Sequence, residues 1–443
     1  MTQFGELSLW IALLMSAWCT TLAVQGAFTR RRSLTESAAR GLQMALLFSL
    51  LAAGVVMAAF LDGDYALRYV AMHSGVNIAP IYKVCAFWSG RAGLLLLASV
   101  ALAAAGSAGA RSAMRSDADH ARAAWTLAAH GAIVGAALAV TAFTAHTFAV
   151  FTQIPTDGRG LDPLFRHPLM AIQPLMMLAG TAAASVPLAL IVAAAVRRRS
   201  DAAFVARLRA PATAAWTLLS LAFVVGARWA YVSPGLRART QGTAVVIAAA
   251  AAWIAMMLVL IAVEVRDRRG TRRLIEAAGR RRAAWIVTAC GALLCAAPLA
   301  ARPLTKNYDV QIDDGSRYDA RDVWGHAWTF TSQGESRLER PGDDVTALAL
   351  LPTRDGVRQP FLSSESRQYF GAGGLDIYSP QTVPAIQRSL AQDLVVVLSD
   401  AGDGHAVLRV SFRPLIELAW AGGVLLALGG ALLFWPSRPE QAA

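Results

Sequence analysis

The chain is poor in charge and in cysteine. Only 16% of its 443 residues are charged, whereas 56% are hydrophobic. A soluble domain usually has about a quarter of its residues charged. A chain this apolar could not cover its surface with polar groups, so the composition excludes an ordinary cytosolic enzyme and also a disordered chain.

The few cysteines and the missing motifs exclude several kinds of site. Cys19, Cys85, Cys290 and Cys295 are scattered through apolar runs, and no C-x-x-C or C-x-x-C-H string occurs. This argues against a disulfide framework, a zinc or other metal site, a thioredoxin-like site and haem attached covalently to this chain. G-x-S-x-G, H-E-x-x-H and Walker motifs are also absent, so no catalytic residue is predicted.

The sequence is instead rich in long apolar runs. A helix needs about 20 apolar residues to cross a bilayer, and nine runs qualify: 8–28, 42–61, 85–106, 125–151, 169–195, 213–232, 243–264, 284–301 and 414–435. We therefore predict an all-α polytopic membrane helical bundle of about nine spans. Residues 1–301 carry eight spans, and residues 413–443 carry the last span and a tail.

Residues 302–412, between the last two spans, have a different composition. They contain 15 acidic and 11 basic residues, and the runs 345–351 and 394–398 are rich in β-forming residues. We predict a small β-rich domain there.

The loops predict the orientation. One set of loops, with the C-terminal tail, holds 21 arginines, whereas the short loops of the other set hold six basic residues. The positive-inside rule then places the N-terminus and the β-rich domain on the outer side of the membrane, and the C-terminus on the inner side. The net charge of +12 therefore reflects topology and contact with membrane lipid, and no nucleic-acid partner is predicted.

Four strings on the predicted outer side carry the strongest functional signal. In chain order they are Tyr69-Val70-Ala71 with Pro80, Tyr82-Lys83 and Trp88; Gly158-Arg159-Gly160-Leu161-Asp162-Pro163-Leu164; Glu365-Ser366-Arg367-Gln368-Tyr369; and Pro414-Leu415 with Trp420 and Gly422-Gly423. Together they resemble the CcmF/NrfE family of cytochrome c biogenesis membrane proteins, the haem lyase subunits.

The resemblance implies a role in cytochrome c maturation, in which the subunit positions haem and apocytochrome c for covalent haem attachment. The implied partners are apocytochrome c, haem and other maturation membrane proteins. The matching strings give these candidate partner-binding residues: Tyr82, Lys83, Trp88, Asp162, Pro163, Arg367 and Tyr369. Two alternatives stay open, namely a non-catalytic assembly scaffold that binds apocytochrome or maturation partners, and a membrane transporter.

The sequence departs from the family where haem would be held. The family's tryptophan-rich outer segment is replaced by residues 236–243, which contain no tryptophan, and one family histidine falls on Gln173. Another falls on Ile261, which cannot bind iron. We therefore expect a divergent, shortened member whose haem holding is degenerate, and whether it is an enzyme stays open.

Several other residues could still contact haem. Histidines can supply axial donors and arginines can pair with haem propionates. The candidates are His73, His146, His167, Gln173, Arg228, Trp229, Arg237 and Arg239. The alternatives are ordinary interface histidines, arginines that snorkel to the membrane surface and an aromatic belt.

Overall fold

The computed structural model describes residues 1–76, 78–116, 120–198, 202–233, 244–270, 276–340, 343–369, 380–402 and 405–434. Within these ranges the helices are α1 (Thr2–Thr29), α2 (Arg32–Asp62), α3 (Arg68–His73), α4 (Pro80–Ala86), α5 (Arg91–Ser116), α6 (His120–Thr144), α7 (Gln173–Arg197), α8 (Ala202–Val232), α9 (Ala244–Gly270), α10 (Glu276–Ala300) and α11 (Ile416–Phe434).

Nine helical segments in the described part of the chain are long and apolar enough to cross a membrane. They correspond to all of the long helices, and only α3 and α4 are too short. The predicted nine-span bundle is therefore confirmed, and the chain is a multi-pass membrane protein.

Two predicted spans are too long at one end. The third was expected to begin at Cys85, but its helix begins at Arg91, and the fourth was expected to reach residue 151, but α6 ends at Thr144. Residues 66–68 and 149–151 bond to each other through their backbones instead, and Leu67 and Val150 form an isolated β-bridge. Their apolar side chains misled the prediction, because apolar residues can cap a bundle as well as cross a membrane.

Small residues set the distances between the spans. A Cβ at Gly131 of α6 would lie 2.5 Å from the Thr20 hydroxyl oxygen of α1, and a Cβ at Gly422 of α11 would lie 2.6 Å from the Cys295 backbone nitrogen of α10. Such close backbone approach is typical of helix packing in lipid, where association depends on van der Waals contact.

Residues between α10 and α11 form an antiparallel β domain, which confirms the β-rich prediction. The strands are β1 (Lys306–Asp313), β2 (Arg317–Arg321), β3 (Ala327–Arg340), β4 (Asp343–Arg354), β5 (Val357–Arg358), β6 (Leu362–Tyr369), β7 (Gln381–Val383), β8 (Ala385–Gln387), β9 (Gln392–Gly402) and β10 (His405–Pro414). One sheet has the order β1-β10-β9-β8; the other has the order β2-β3-β4-β6-β7, with β5 paired to β4.

The two sheets share one apolar core. Strand β10 alternates buried and exposed residues over most of its length, as expected where one face of a sheet is covered. Trp328 stacks on Phe330 with ring centroids 6.0 Å apart, and it also contacts Phe412 of the other sheet at 5.7 Å. Because β10 leads directly into α11, the domain is tied to the bundle at both of its ends.

Candidate functional site

The membrane face from which the β domain extends, here called the domain face, carries two long loops that pack together. They comprise residues 63–90 and 145–172. The Arg68 backbone N–H donates to the Ala149 carbonyl at 2.9 Å, and the Arg159 N–H donates to the Ala71 carbonyl at 2.6 Å. These contacts bring two of the four family-like strings into one surface.

A glycine and an aspartate hold the two loops together. A Cβ at Gly158 would overlap the Ser74 carbonyl oxygen, so the close approach requires glycine at this position. The Asp157 carboxylate accepts hydrogen bonds from the backbone N–H groups of Val76 at 2.8 Å and Gly158 at 2.6 Å. The loop geometry is thus fixed by backbone contacts as well as by apolar packing.

Three residues connect the two loops to the β domain. The Tyr82 hydroxyl donates to the Arg166 carbonyl at 3.4 Å. The Arg166 guanidinium lies over the ring of Tyr369 in β6, 5.2 Å from its centroid. Two predicted partner-binding residues, Tyr82 and Tyr369, are therefore brought together through a third residue that was not predicted.

The other predicted partner-binding residues have more local contacts. The buried Trp88 donates its indole N–H to the Met170 carbonyl at 3.0 Å, and the Asp162 carboxylate accepts from the Leu164 N–H at 3.1 Å. Arg367 donates to the Glu365 carboxylate at 2.6 Å. Lys83 is half-buried next to Tyr82, and Pro163 begins a short 3-10 turn. Trp88 and Asp162 thus shape the loops from inside.

His73 lies at the end of α3 and packs against the start of α5. Its Nδ1 is 2.9 Å from the Tyr69 carbonyl oxygen, which can accept only from a protonated nitrogen, so the Nε2 of the neutral ring carries the lone pair. That Nε2 lies where a Cβ of Gly90 would be. Burial lowers the pKa of His73, which favours the neutral ring at pH 7.

His167 and Trp229 form an aromatic pair in which the rings are stacked, with centroids 6.3 Å apart. The Nδ1 of His167 accepts from the Leu169 N–H at 3.2 Å, so the proton of the neutral ring is on Nε2. Burial lowers the pKa of His167. The indole nitrogen of Trp229 is buried and has no hydrogen-bond partner among the described residues.

Arg228 precedes Trp229 on α8, and Gln173 is the first residue of α7. The Arg228 guanidinium donates to the Glu417 carboxylate of α11 at 2.9 Å and lies 5.2 Å from the Trp420 ring centroid. A Cβ at Gly226 of α8 would lie 3.1 Å from the Gln173 amide nitrogen. The positive charge of Arg228 is therefore already paired within the chain.

Another described haem candidate is His146. His146 is exposed just beyond α6, in a left-handed conformation with φ of 48°. Arg237 and Arg239 lie outside the described residues. A cavity of about 190 Å³ beside Arg228 is lined by Leu169, Val224, Val225, Glu417, Trp420 and Val424.

As placed, His73 and His167 do not offer an axial ligand to haem. Ligation through Nε2 needs an accessible lone pair, but Nε2 of His73 packs against Gly90, and in His167 it carries the proton. The cavity is smaller than the ~300–1,000 Å³ of typical pockets for larger ligands. Among the described residues there is also no cluster of three His, Cys, Asp or Glu side chains that could hold a metal ion. The residue assignments to haem stay predictions.

Sequence reasoning missed Arg166, Glu417 and Asp393. The Tyr231 hydroxyl donates to the Asp393 carboxylate of β9 at 2.9 Å, which ties α8 to the β domain. Glu417 could have been found, because an acidic residue in an apolar span usually has a partner, and Arg228 lies at the same end of another span. The positions of Arg166 and Asp393 depend on the arrangement of loops and strands, which the sequence pattern does not specify.

Comparison with known proteins finds similarity to cytochrome c biogenesis proteins. The chain is 32% identical to the cytochrome c-type biogenesis protein ccl1 of Rhodobacter capsulatus over 40% of this chain and 27% of the relative. It is 31% identical to CcmF of Pseudomonas aeruginosa over 53% of this chain and 35% of the relative. The alignments thus span about a third of these curated relatives, and no family model matches.

The fold agrees over a greater length than the sequence. A solved structure described as cytochrome c heme lyase CcmF superposes with a TM-score of 0.74 at 17% identity, covering 98% of both chains. NrfE of Haemophilus influenzae is 26% identical over 52% of this chain and 36% of the relative. The scaffold and transporter alternatives are not favoured by these similarities. Over about half of its length the chain is similar to the CcmF and NrfE cytochrome c-type biogenesis proteins, and it shares the fold of the CcmF structure.

Proposed function

We propose that this chain is a CcmF-like haem lyase subunit of cytochrome c maturation, in which the domain face receives apocytochrome c. In this proposal the domain face is periplasmic, as the positive-inside rule predicts, and the C-terminus is in the cytoplasm of a bacterial inner membrane. Residues 302–412 form the periplasmic domain. The partners are apocytochrome c, haem and other maturation membrane proteins.

The observation that carries the proposal is the contact between Arg166 and Tyr369. It joins the loop 145–172 to the β domain at 5.2 Å, and Tyr82 of the other loop bonds to Arg166. Three segments that resemble the family thus meet at one place, beside the half-exposed Glu365–Arg367 pair. A surface with aromatic rings and paired charges can hold an extended peptide through stacking and hydrogen bonds.

The chemistry proposed for this chain is positioning. Apocytochrome c presents its cysteines and histidine in a C-x-x-C-H string. Holding that string still next to haem would convert an encounter between two molecules into a reaction within one complex, which accelerates the bond-forming step. Because His73 and His167 as placed do not offer an axial ligand, we assign no step of haem chemistry to the described residues and infer that a partner chain contributes to holding haem.

A binding measurement tests the receiving role. The full chain in nanodiscs is titrated with a fluorescent peptide that contains C-x-x-C-H, and binding is followed by anisotropy. We expect saturable binding that Arg166→Ala weakens about tenfold, which corresponds to ~1.4 kcal/mol. Arg409→Ala is the matched control, since Arg409 is paired with Asp309 on the exposed side of β10. Equal affinity for both variants would refute the assigned surface.

A cellular measurement tests the wider function. Deleting the gene should lower the amount of covalently bound haem in c-type cytochromes, as measured on haem-stained gels, and the wild-type gene should restore it. Unchanged staining would contradict a role in maturation. The visible spectrum of the purified chain separates the remaining possibilities: a Soret band would assign haem holding to this chain, whereas colourless protein that binds the peptide supports haem held with a partner.

A further inference from the structure

The β domain exposes large apolar side chains close to the point where the chain enters and leaves the membrane. Leu304, Trp324 and Leu390 are 53%, 49% and 75% exposed, even though the bundle is present beside them. We call these three residues the collar. Large exposed apolar groups that cluster in one place usually mark a surface that contacts a partner or a membrane.

Each member of the collar is fixed at the height of a span end. Leu304 is the last residue of the eighth span. The Ala391 carbonyl, next to Leu390, accepts from the N–H of Leu415, and α11 begins one residue later. The Lys306 ammonium, two residues beyond the eighth span, donates to the Asp322 carbonyl at 2.7 Å and so brings the turn with Trp324 to the same level.

The buried carboxylate of Asp322 bonds to two of these segments. Asp322 accepts from the Trp324 N–H at 2.9 Å and from the Gln392 amide at 2.6 Å, so the turn carrying Trp324 and the strand that follows Leu390 share one partner. The three segments that carry the collar are therefore joined through hydrogen bonds to Asp322. Gly325, with φ of 91°, closes the turn, and the Trp324 side chain is half exposed.

The surroundings of the collar match a lipid headgroup region. Tryptophan is enriched at the boundary between headgroups and acyl chains, because its ring is apolar and its N–H can bond to water or phosphate. Arg302 and Arg388 are exposed next to Leu304 and Leu390. Long cationic side chains beside apolar groups are typical of surfaces that bind phospholipid.

We propose that the collar inserts into the headgroup and acyl boundary of the leaflet on the domain face, and that its partner is phospholipid. Leu304 belongs to the eighth span itself, and Ala391, beside Leu390, bonds to Leu415 at the start of the ninth, which favours lipid over a soluble protein as the occupant. The β domain would thereby be held at a fixed depth, beyond the two covalent connections to its spans. This inference is independent of the proposed function.

Spin-label accessibility tests the proposal. On a background with the four cysteines replaced by alanine, Trp324→Cys and Leu390→Cys are labelled with a nitroxide in the full chain in nanodiscs. Power saturation compares access of oxygen, which concentrates in lipid, with access of a water-soluble nickel complex. The control is Val407→Cys, at a position that is 39% exposed in the wild type. Val407 lies seven residues before the end of β10, which is about 23 Å from the membrane end of that strand at ~3.3 Å per residue.

We expect the ratio of oxygen to nickel access at both collar positions to be severalfold higher than at Val407→Cys. Ratios equal to that of the control would overturn the proposal, including the case in which a protein partner covers the collar, since purified nanodiscs contain no partner. Two separate label positions guard against one variant that alters the local fold. Adding anionic lipid should raise the ratio further, and a fall would contradict the role of Arg302 and Arg388.

Discussion

The spans and the β domain are held together in different ways. The spans approach through glycines, as at Gly131, which faces the Thr20 hydroxyl, and at Gly422, which faces the Cys295 backbone. The domain instead packs large rings such as Trp328 and Phe412 around a core that also contains the buried Asp322. Moving a large ring from water into a protein core is favourable, whereas moving it there from lipid gains little. Each region therefore has the packing that its solvent favours.

The largest expected effect comes from removing the carboxylate that organises the domain. Asp322→Ala would leave the Trp328 indole, the Gln392 amide and two backbone N–H groups without an acceptor. We expect a loss of about 3–5 kcal/mol in the stability of the β domain, because buried polar groups without partners are costly. Hydrogen exchange of the domain strands measures it.

The control for this prediction is the exposed Asp355, which also bonds to the backbone at Ala327. Asp355→Ala should leave exchange in β1, β9 and β10 almost unchanged. If the two variants had equal effects, burial would not be the reason for the importance of Asp322.

A glycine substitution tests the spans in the same way. A Cβ at Gly93 of α5 would overlap the Phe87 carbonyl oxygen, and this backbone cannot move as a flexible side chain could. We expect Gly93→Ala to destabilise the bundle by about 3 kcal/mol, since overpacking forces backbone shifts. Gly54→Ala in α2, where nothing lies within 4 Å, should be neutral or slightly stabilising. Thermal unfolding in detergent compares the two, and equal melting temperatures would contradict close packing at Gly93.

The ion pair where the two regions meet should have a smaller effect. The Arg228 and Glu417 side chains are 19% and 22% exposed, and Glu417→Gln would leave the guanidinium without its carboxylate. We expect a loss of about 1–2 kcal/mol, reduced by the partial exposure of both groups. The double variant with Arg228→Gln should cost less than the sum of the single variants, whereas additive effects would show that the contact is not coupled.

The different solvents of the spans and the β domain also determine what the sequence could and could not predict. Nine spans and a β-rich domain follow from apolar run lengths and β-forming residues, because these patterns report the solvent of each segment. The loop between residues 145 and 151 was misassigned to a span because it is apolar yet pairs with residues 66–68. Tyr82 and Tyr369 were predicted from family-like strings, but Arg166 between them depends on the packing of a loop against a strand. Contacts across a tertiary interface have no periodicity to reveal them.

The smallest effect concerns pH, and it distinguishes the interior of the domain from its junction with the bundle. At Asp393, burial raises the carboxyl pKa above its ordinary 3.8, opposed by the hydrogen bond from Tyr231 and reinforced by Glu417. At Asp322, burial alone would raise the pKa, but hydrogen bonds from Trp328, Gln392 and the backbone outweigh it and the pKa is lowered.

The two carboxylates therefore make stability depend on pH in opposite directions. A raised pKa means that the folded state binds the Asp393 proton more tightly than the unfolded state does. The contribution of Asp393 to the free energy of unfolding is therefore full below pH 3.8 and is lost as pH rises through the folded pKa. The contribution of Asp322 is present above 3.8 and is lost as pH falls through its lowered pKa. In the wild type, the melting temperature should decline as pH rises above 3.8, and Asp393→Asn should make this decline smaller. The control Asp400→Asn, at an exposed position of the same strand, should leave the decline unchanged. If the decline persisted in Asp393→Asn, another group would cause the pH dependence, and the role assigned to Asp393 would be wrong.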